Sequence, residues 1–234
     1  IAVAAAGVKI TASREAGIVY GIQSFRQLGG ASADIPCMGV RARPRYARRG
    51  LMLDESRHFF GADEVRKLLD RMAYYKLNRF HWHLTDKPGW RIEIKKYPKL
   101  TAVGGKGCDS DKNAPVRFYT QADIKKIIEY ARLRQIVVVP EIDMPGHATA
   151  ANRAYPEHSG GGSKRHPEFT FNPGKEATYT YLTDILTETA ALFPGPWLHY
   201  GGDEAHYGNQ KWPSLPDVRA RMKKENYTTL LEIE

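Results

Sequence analysis

Cysteine is scarce in this sequence: Cys37 and Cys108 are the only two in 234 residues. Their separation matches no metal-binding or redox spacing, which excludes a thiolate metal site or a redox pair. They read as inert thiols and do not fix a compartment. Long hydrophobic runs are also missing. None approaches the ~18 uninterrupted apolar residues of a membrane-crossing helix, so no membrane span is expected. The opening IAVAAAG carries no basic stretch and is not read as an intact signal peptide. Nor does a Gly-rich phosphate loop follow the first apolar run, which argues against a doubly wound nucleotide-binding sheet.

The residues that are present suffice for a sizeable core, with 42% hydrophobic and 11% aromatic content. The formal charge of +9 raises the question of a nucleic-acid partner. Its densest cluster is Arg41, Arg43, Arg45, Arg48 and Arg49, broken by Pro44 and interleaved with one aromatic, Tyr46. That pattern reads as solvated linker charge, and no nucleic-acid partner is expected.

The first forty residues differ from the rest. Small and β-branched residues lead into a helix-like run around 18–28, followed by a loop through 29–34. This reads as the end of a small α+β domain over residues 1–40, with a linker near 37–48. The second domain is read over residues 41–234, and from Arg49 onward a repeating order appears. Apolar runs suited to buried strands lie at 51–53, 79–84, 136–142 and 197–200. Between them, Val65, Leu68, Leu69 and Met72 mark one helix face, and Ile124, Ile127, Ile128 and Ala131 mark another. Tyr179, Leu182, Leu186, Ala190 and Phe193 predict a third helix, with Asn172 as its N-cap and Pro173 at its first position. The inserts at 87–119 and 148–171 read as loops.

Strands separated by helices imply an α/β fold with a parallel sheet. Every predicted strand ends in polar residues: DESRH (54–58), HLTD (83–86), EIDMPGH (141–147) and GGDE (201–204). Reactive groups at the carboxyl ends of successive strands are what a (β/α)8 TIM barrel gathers at its active face. About four β/α units fit into residues 41–234, the first half of such a barrel. A half barrel exposes two strand edges. The remainder is therefore expected from further chain or from a partner chain that completes the barrel.

The strongest chemical signal is His199-Tyr200-Gly201-Gly202-Asp203-Glu204. Neighbours in a regular strand point to opposite faces. Two adjacent carboxylates therefore reach one pocket only if the strand ends here, and the two glycines permit such a bend. This H-x-G-G-D-E run resembles the signature of family 20 β-N-acetylhexosaminidases. So do RGLMLDESRHF (49–59), HWHLTD (81–86) and EIDMPGH (141–147), in that family's order. The resemblance covers roughly residues 15–210.

That resemblance implies an exo-acting, retaining hydrolase of terminal β-linked N-acetylhexosamine, with a carbohydrate substrate, no cofactor and no metal. In this family the sugar's own 2-acetamido oxygen attacks the anomeric carbon and gives an oxazolinium intermediate. Asp203 would orient the acetamido group and stabilise charge on its nitrogen. Glu204 would protonate the leaving oxygen and then deprotonate water. Arg57 would bind sugar hydroxyls through its fork of donors. Its alternative is a structural bridge to Asp54 or Glu55. Asp143 and His147 would hold the acid, and Asp86 would join them. A periplasmic, extracellular or lysosome-like compartment is expected for the full-length protein.

Two other readings compete. His81 and His83 stand at i, i+2, a familiar metal pair that His147, His199 and Asp203 could complete. The pair precedes Leu-Thr-Asp inside an apparent buried strand, which favours hydrogen-bonding roles for His81, His83 and His199. Alternatively, an incomplete barrel could bind glycans without turning them over. Trp82 and Trp90 fit either core or sugar platform.

Overall fold

The computed structural model describes residues 1–30 and 34–234. The expected loop at 29–34 thus lies partly outside the described residues. The chain begins with β1 (Ala2–Ala4) and β2 (Gly7–Lys9), then helix α1 (Glu15–Gly29) and β3 (Met38–Gly39). β1 is the centre of a small antiparallel sheet, with β2 and β3 at its sides.

A parallel sheet follows. β4 (Gly50–Asp54), α2 (Ala62–Tyr74), β5 (Arg79–His83), α3 (Lys99–Ala102), α4 (Gln121–Arg132) and β6 (Val137–Glu141) succeed one another along the chain. The strands lie in the order β4-β5-β6, with Asp54 paired to His83 and His83 to Glu141 at their carboxyl ends. Strand order follows chain order, so the sheet grows in one direction and shows no reversal point.

The helices form where the apolar period requires. α2 buries Val65, Leu69, Met72 and Ala73, and α4 buries Ile124, Ile127 and Ala131. α4 begins at a capping box, with the Asp123 backbone N–H donating to Thr120 Oγ1 at 3.1 Å and Thr120 N–H to Asp123 at 3.2 Å. Trp82 is fully buried, with ring centroids of Tyr119 at 4.7 Å and Phe80 at 5.6 Å. Trp90 is also buried and donates to the Ile92 carbonyl. Both tryptophans are therefore core residues rather than sugar platforms.

Three sequence expectations need correction. The run at 197–200 forms no regular strand. It makes a single parallel bridge from His199 to Glu141, plus a bond from Met144 N–H to the Tyr200 carbonyl at 2.8 Å. The insert at 148–171 is not bare loop, for it contains α5 (Thr149–Ala154) and a two-stranded ribbon of β7 (Ser159–Gly161) and β8 (Thr170–Phe171). Finally, α6 spans Glu176–Leu192 and starts after Lys175, not at Asn172. Asn172 instead accepts the Gly174 N–H at 2.9 Å and donates to Asp217 at 3.0 Å, which holds the backbone in a turn. The buried face of α6 carries Thr178, Tyr181, Ile185, Thr189 and Leu192. It is rotated from the predicted stripe because two threonines belong to it. Tyr181 also anchors the helix against His158, stacked at 4.2 Å, and Tyr97 at 4.6 Å. The chain closes with α7 (Pro216–Glu225) and α8 (Leu230–Ile233), which with Trp212 form a small second core. No helix among the described residues is long and apolar enough to cross a membrane.

One buried cation ties the loops together. Arg91, 1% exposed, donates to five backbone carbonyls: Glu55 (3.1 Å), Ser56 (2.9 Å), Gly105 (2.7 Å), Gly107 (2.6 Å) and Arg117 (3.1 Å). Gly89 makes room for it, since a Cβ there would lie 2.3 Å from the guanidinium. Burying that charge is tolerable only because every direction of the fork meets an oxygen. The loop so held is the one that presents Arg57. Arg91→Leu should cost about 3 kcal/mol or more in urea unfolding, because the carbonyls would lose their donors without gaining water. Arg91→Lys should recover little, and a loss below about 1 kcal/mol in either variant would contradict the clamp.

Candidate active site

At the carboxyl ends of β4, β5 and β6 the sheet delivers a line of alternating carboxylates and imidazoles. Its centre is Asp86, whose side chain is 1% exposed. One carboxylate oxygen faces Arg57 Nη1 at 2.5 Å and His83 Nε2 at 2.9 Å, and the other faces His147 Nδ1 at 2.9 Å. Burial alone would raise the pKa of this acid, but its bonds to His147 and His83 win and hold it well below the usual carboxylate range. His83 shows the same contest with the opposite sign. Burial works against its charge, while Asp86 and Glu141 outweigh burial and push it up to about 10. Glu141 lies 2.7 Å from His83 Nδ1 and 2.5 Å from His81 Nε2, and these contacts hold it below its ordinary range despite burial.

The far side of His147 faces the acid pair. Its Nε2 is 3.4 Å from Glu204 Oε2 and 3.6 Å from Asp203 Oδ2. Three residues with positive φ bring both carboxylates to one ring: Gly201 (71°), Gly202 (93°) and Glu204 (55°). At Gly201 a Cβ would lie 1.8 Å from Asp143 Oδ1, so that position also requires the absence of a side chain. The imidazole is almost enclosed, at 6% exposure, whereas Asp203 and Glu204 are 64% and 48% exposed at the cleft. Burial lowers the pKa of His147, but Asp86, Asp143 and Asp203 together raise it.

Arg57 makes the structural bridge and also faces the cleft. It bridges to Asp54 at 2.8 Å and to Asp86, yet its side chain stays 39% exposed and lines the cleft. Asp143 takes another position from the one its neighbourhood in sequence suggests. The His147 Nδ1–H donates to Asp86, and Asp143 Oδ1 is buried without a hydrogen-bond partner among the described residues. Burial, with Asp203 and Asp86 nearby, pushes Asp143 up to about 7, although His147 opposes this.

A cleft of about 690 Å³ opens over the pair, lined by Arg57, Asp86, His147 and Glu204, with Lys87, Lys164, Arg165, His166 and Tyr207 around the rim. Sequence reasoning missed that rim, because residues 163–166 sit in an irregular loop that only the β7–β8 ribbon brings over the site. It also passed over Glu141 and underrated His83. Their H-x-H and strand-end positions were visible, but their mutual contact was not.

Among the described residues, four overlapping groups of three side chains have ligand atoms within 4.8 Å and could hold a metal ion: His81, Glu141 and His199; His83, Glu141 and Asp143; Asp86, Asp143 and His147; and His147, Asp203 and Glu204. His83 meets a carboxylate at both ring nitrogens. A cation among the buried groups would therefore displace hydrogen bonds already made rather than fill a vacant cage.

The glycosyl hydrolase family 20 catalytic domain matches residues 46–234. The chain accordingly belongs to that family, and its α/β core corresponds to the family's TIM-barrel catalytic domain. It is 39% identical over 232 residues to a β-hexosaminidase of Porphyromonas gingivalis, covering 92% of this chain and 30% of that protein. To β-hexosaminidase subunit alpha of Mus musculus it is 36% identical over 230 residues, covering 93% of this chain and 41% of that one. Among solved structures, the exo-β-N-acetylglucosaminidase of Vibrio harveyi bound to N-acetylglucosamine matches with a TM-score of 0.89 at 35% identity. That match covers 99% of this chain and 39% of the other. The chain thus spans less than half the length of these relatives.

The orphaned carboxyl of Asp143 gives a pH-dependent prediction. Its folded pKa is raised to about 7, so the native state favours its protonated form. The cost of ionising it grows as pH rises from about 4 to about 7 and is flat beyond. Asp143→Asn should therefore stabilise the protein at pH 8, by about 2 to 4 kcal/mol, with the gain fading toward pH 4. Thermal unfolding at several pH values checks this, and a gain independent of pH would contradict it.

Proposed function

We propose that the protein carrying this chain is an exo-acting, retaining β-N-acetylhexosaminidase. It removes terminal non-reducing β-linked GlcNAc or GalNAc, with the substrate's own acetamido group as nucleophile. One observation carries the reading: Asp203 and Glu204 converge on a single nitrogen of His147, with reacting atoms of all three within 4.8 Å. Retaining glycosidases with an enzymic nucleophile place two carboxyls on opposite faces of the sugar, about 5 to 5.5 Å apart. Two sequence neighbours sharing one imidazole stand together on one side instead. Membership of family 20 supplies the nucleophile in this reading: the substrate's own 2-acetamido oxygen, which is correctly placed to attack C1.

On this reading the reaction runs in two steps. Glu204 gives its proton to the leaving glycosidic oxygen as the acetamido oxygen closes on the anomeric carbon. Asp203 accepts the acetamido N–H and stabilises the positive charge of the oxazolinium ring. Water then attacks C1 as the bond from C1 to the acetamido oxygen breaks, Glu204 takes the water's proton, and two inversions leave the configuration retained. His147 faces Glu204 throughout and stabilises the carboxylate formed after proton donation. Arg57, fixed by Asp54 and Asp86, offers its remaining donors to sugar hydroxyls.

The same reading extends to the architecture. Residues 41–234 form the first half of the barrel, with about four β/α units, and residues 1–40 end a small α+β domain. Leu51 and Met52 on β4 are exposed at 39% and 53%, and Trp197 and Tyr200 beside β6 at 36% and 56%. These are the two edges that further barrel strands, in the same chain or a partner, would cover. Half a barrel is consistent with the share of the relatives that this chain spans.

The full-length protein should release p-nitrophenol from the β-GlcNAc glycoside and not from the β-glucoside. Equal turnover of both would remove the acetamido group from the mechanism. Glu204→Gln should lower kcat on chitobiose by about a hundredfold or more while product binding stays within a few-fold. Near-normal turnover by that variant would end the role assigned to Glu204.

A further inference from the structure

The glycosidase reading leaves His83 and Glu141 without a task, although both are buried beside its centre. His83 meets a carboxylate at each ring nitrogen: Asp86 Oδ2 at 2.9 Å from Nε2, and Glu141 Oε2 at 2.7 Å from Nδ1. A neutral imidazole has one N–H and one lone pair. Whichever tautomer it chose, it would aim that lone pair at a carboxylate oxygen. The doubly protonated ring satisfies both sides.

A competing assignment has neutral His83 accept at Nε2 from Arg57 Nη1, 3.3 Å away. Asp86 Oδ2 is the closer partner of each: it lies 2.9 Å from Nε2 and 2.5 Å from Nη1. The two cations therefore converge on a shared acceptor, which accounts for their approach. The wider surroundings agree. His83 lies within reach of three carboxylates, Asp86, Glu141 and Asp143. Arg57 is shared between Asp86 and Asp54. Beyond Glu141 stand His81 at 2.5 Å and the more exposed His199 at 3.3 Å, and beyond Asp86 stands His147. Without a charge on His83, Asp86 and Glu141 would lose the buried cation between them.

We infer that His83 is a permanently charged positioning residue: its imidazolium, fixed by Glu141, keeps Asp86 ionised and aimed at His147, the ring that faces Asp203 and Glu204. Its effect on turnover rests on the glycosidase reading, whereas its charge state does not. In Glu141→Gln one of the two carboxylates is gone, and the His83 proton falls back toward the ordinary histidine range near 6.5. The variant should then lose kcat about tenfold to a hundredfold above neutral pH and regain most of it toward pH 5. KM should stay within about twofold. A purely structural role would lower activity evenly and leave the pH profile unmoved.

The first test is nitrogen-15 NMR of the histidine rings in the full-length protein. The His83 signal is assigned by its loss in His83→Gln, or by through-bond correlation to its own backbone if that variant does not fold. Both His83 nitrogens should remain protonated from about pH 5.5 to about pH 9. An unprotonated ring nitrogen at neutral pH overturns the proposal. A doubly protonated ring combined with an unshifted kcat profile in Glu141→Gln overturns the positioning role. Absence of hydrolysis by the unsubstituted protein overturns the glycosidase reading alone, and the NMR result still decides the charge.

Discussion

A carboxylate withdrawn from water sets the terms for everything around it. Asp86 is nearly inaccessible, and an isolated ionised carboxylate in such a place would be prohibitively costly. Its ionisation is sustained by donors from three separate segments: Arg57 after β4, His83 at the end of β5 and His147 after β6. Those contacts fix the relative height of three strand ends, so the charge acts as a registration mark for the sheet. Arg91 performs the matching task by holding the loop that carries Arg57 through its backbone carbonyls. One buried anion and one buried cation thus locate the same loop.

From that anchor the chemistry runs outward by alternation. Imidazole, carboxylate, imidazole and carboxylate follow one another from His81 through Glu141, His83 and Asp86 to His147, and end at the exposed pair Asp203 and Glu204. Each buried charge touches one of opposite sign, which is how a line of ionised groups survives in low dielectric. Asp143 is the exception. Its Oδ1 has no hydrogen-bond partner among the described residues and fills the space that a Cβ at Gly201 would need. A buried carboxyl oxygen without a donor is a local violation of the rule that the rest of the site obeys. Such violations concentrate at functional sites.

The conformation of residues 201–204 resolves the geometric difficulty of adjacent carboxylates. In an extended strand Asp203 and Glu204 would face opposite ways. Here the chain makes only the isolated His199 bridge, and three positive φ values then turn both side chains to one nitrogen. Glycine carries two of those values freely. Glu204 carries the third with a side chain attached, a conformation of the kind that surrounding structure has to impose.

Much of this was legible in the sequence. Periodicity placed β4, β5, β6, α2 and α4, because each has one continuous apolar face and clear ends. The polar strand ends marked the face where carboxylates and imidazoles gather, and the GGDE run marked two carboxylates that could share one pocket, since two glycines before two carboxylates describe a local bend that needs no distant partner. Tertiary structure decided the rest. The face of α6 was misread because its contacts with Tyr97 and His158 allow threonines into the buried stripe. Asn172 resembled an N-cap until Asp217 claimed its amide. The choice of Asp86 over Asp143 as the partner of His147, and the pairing of His83 with Glu141, depended on strand register, which brings together residues some sixty positions apart. Sequence determined which groups were available and which could bend locally. Only packing across the sheet decided which charges would meet, because the energy of a buried ion depends on what surrounds it in space and not on its neighbours along the chain.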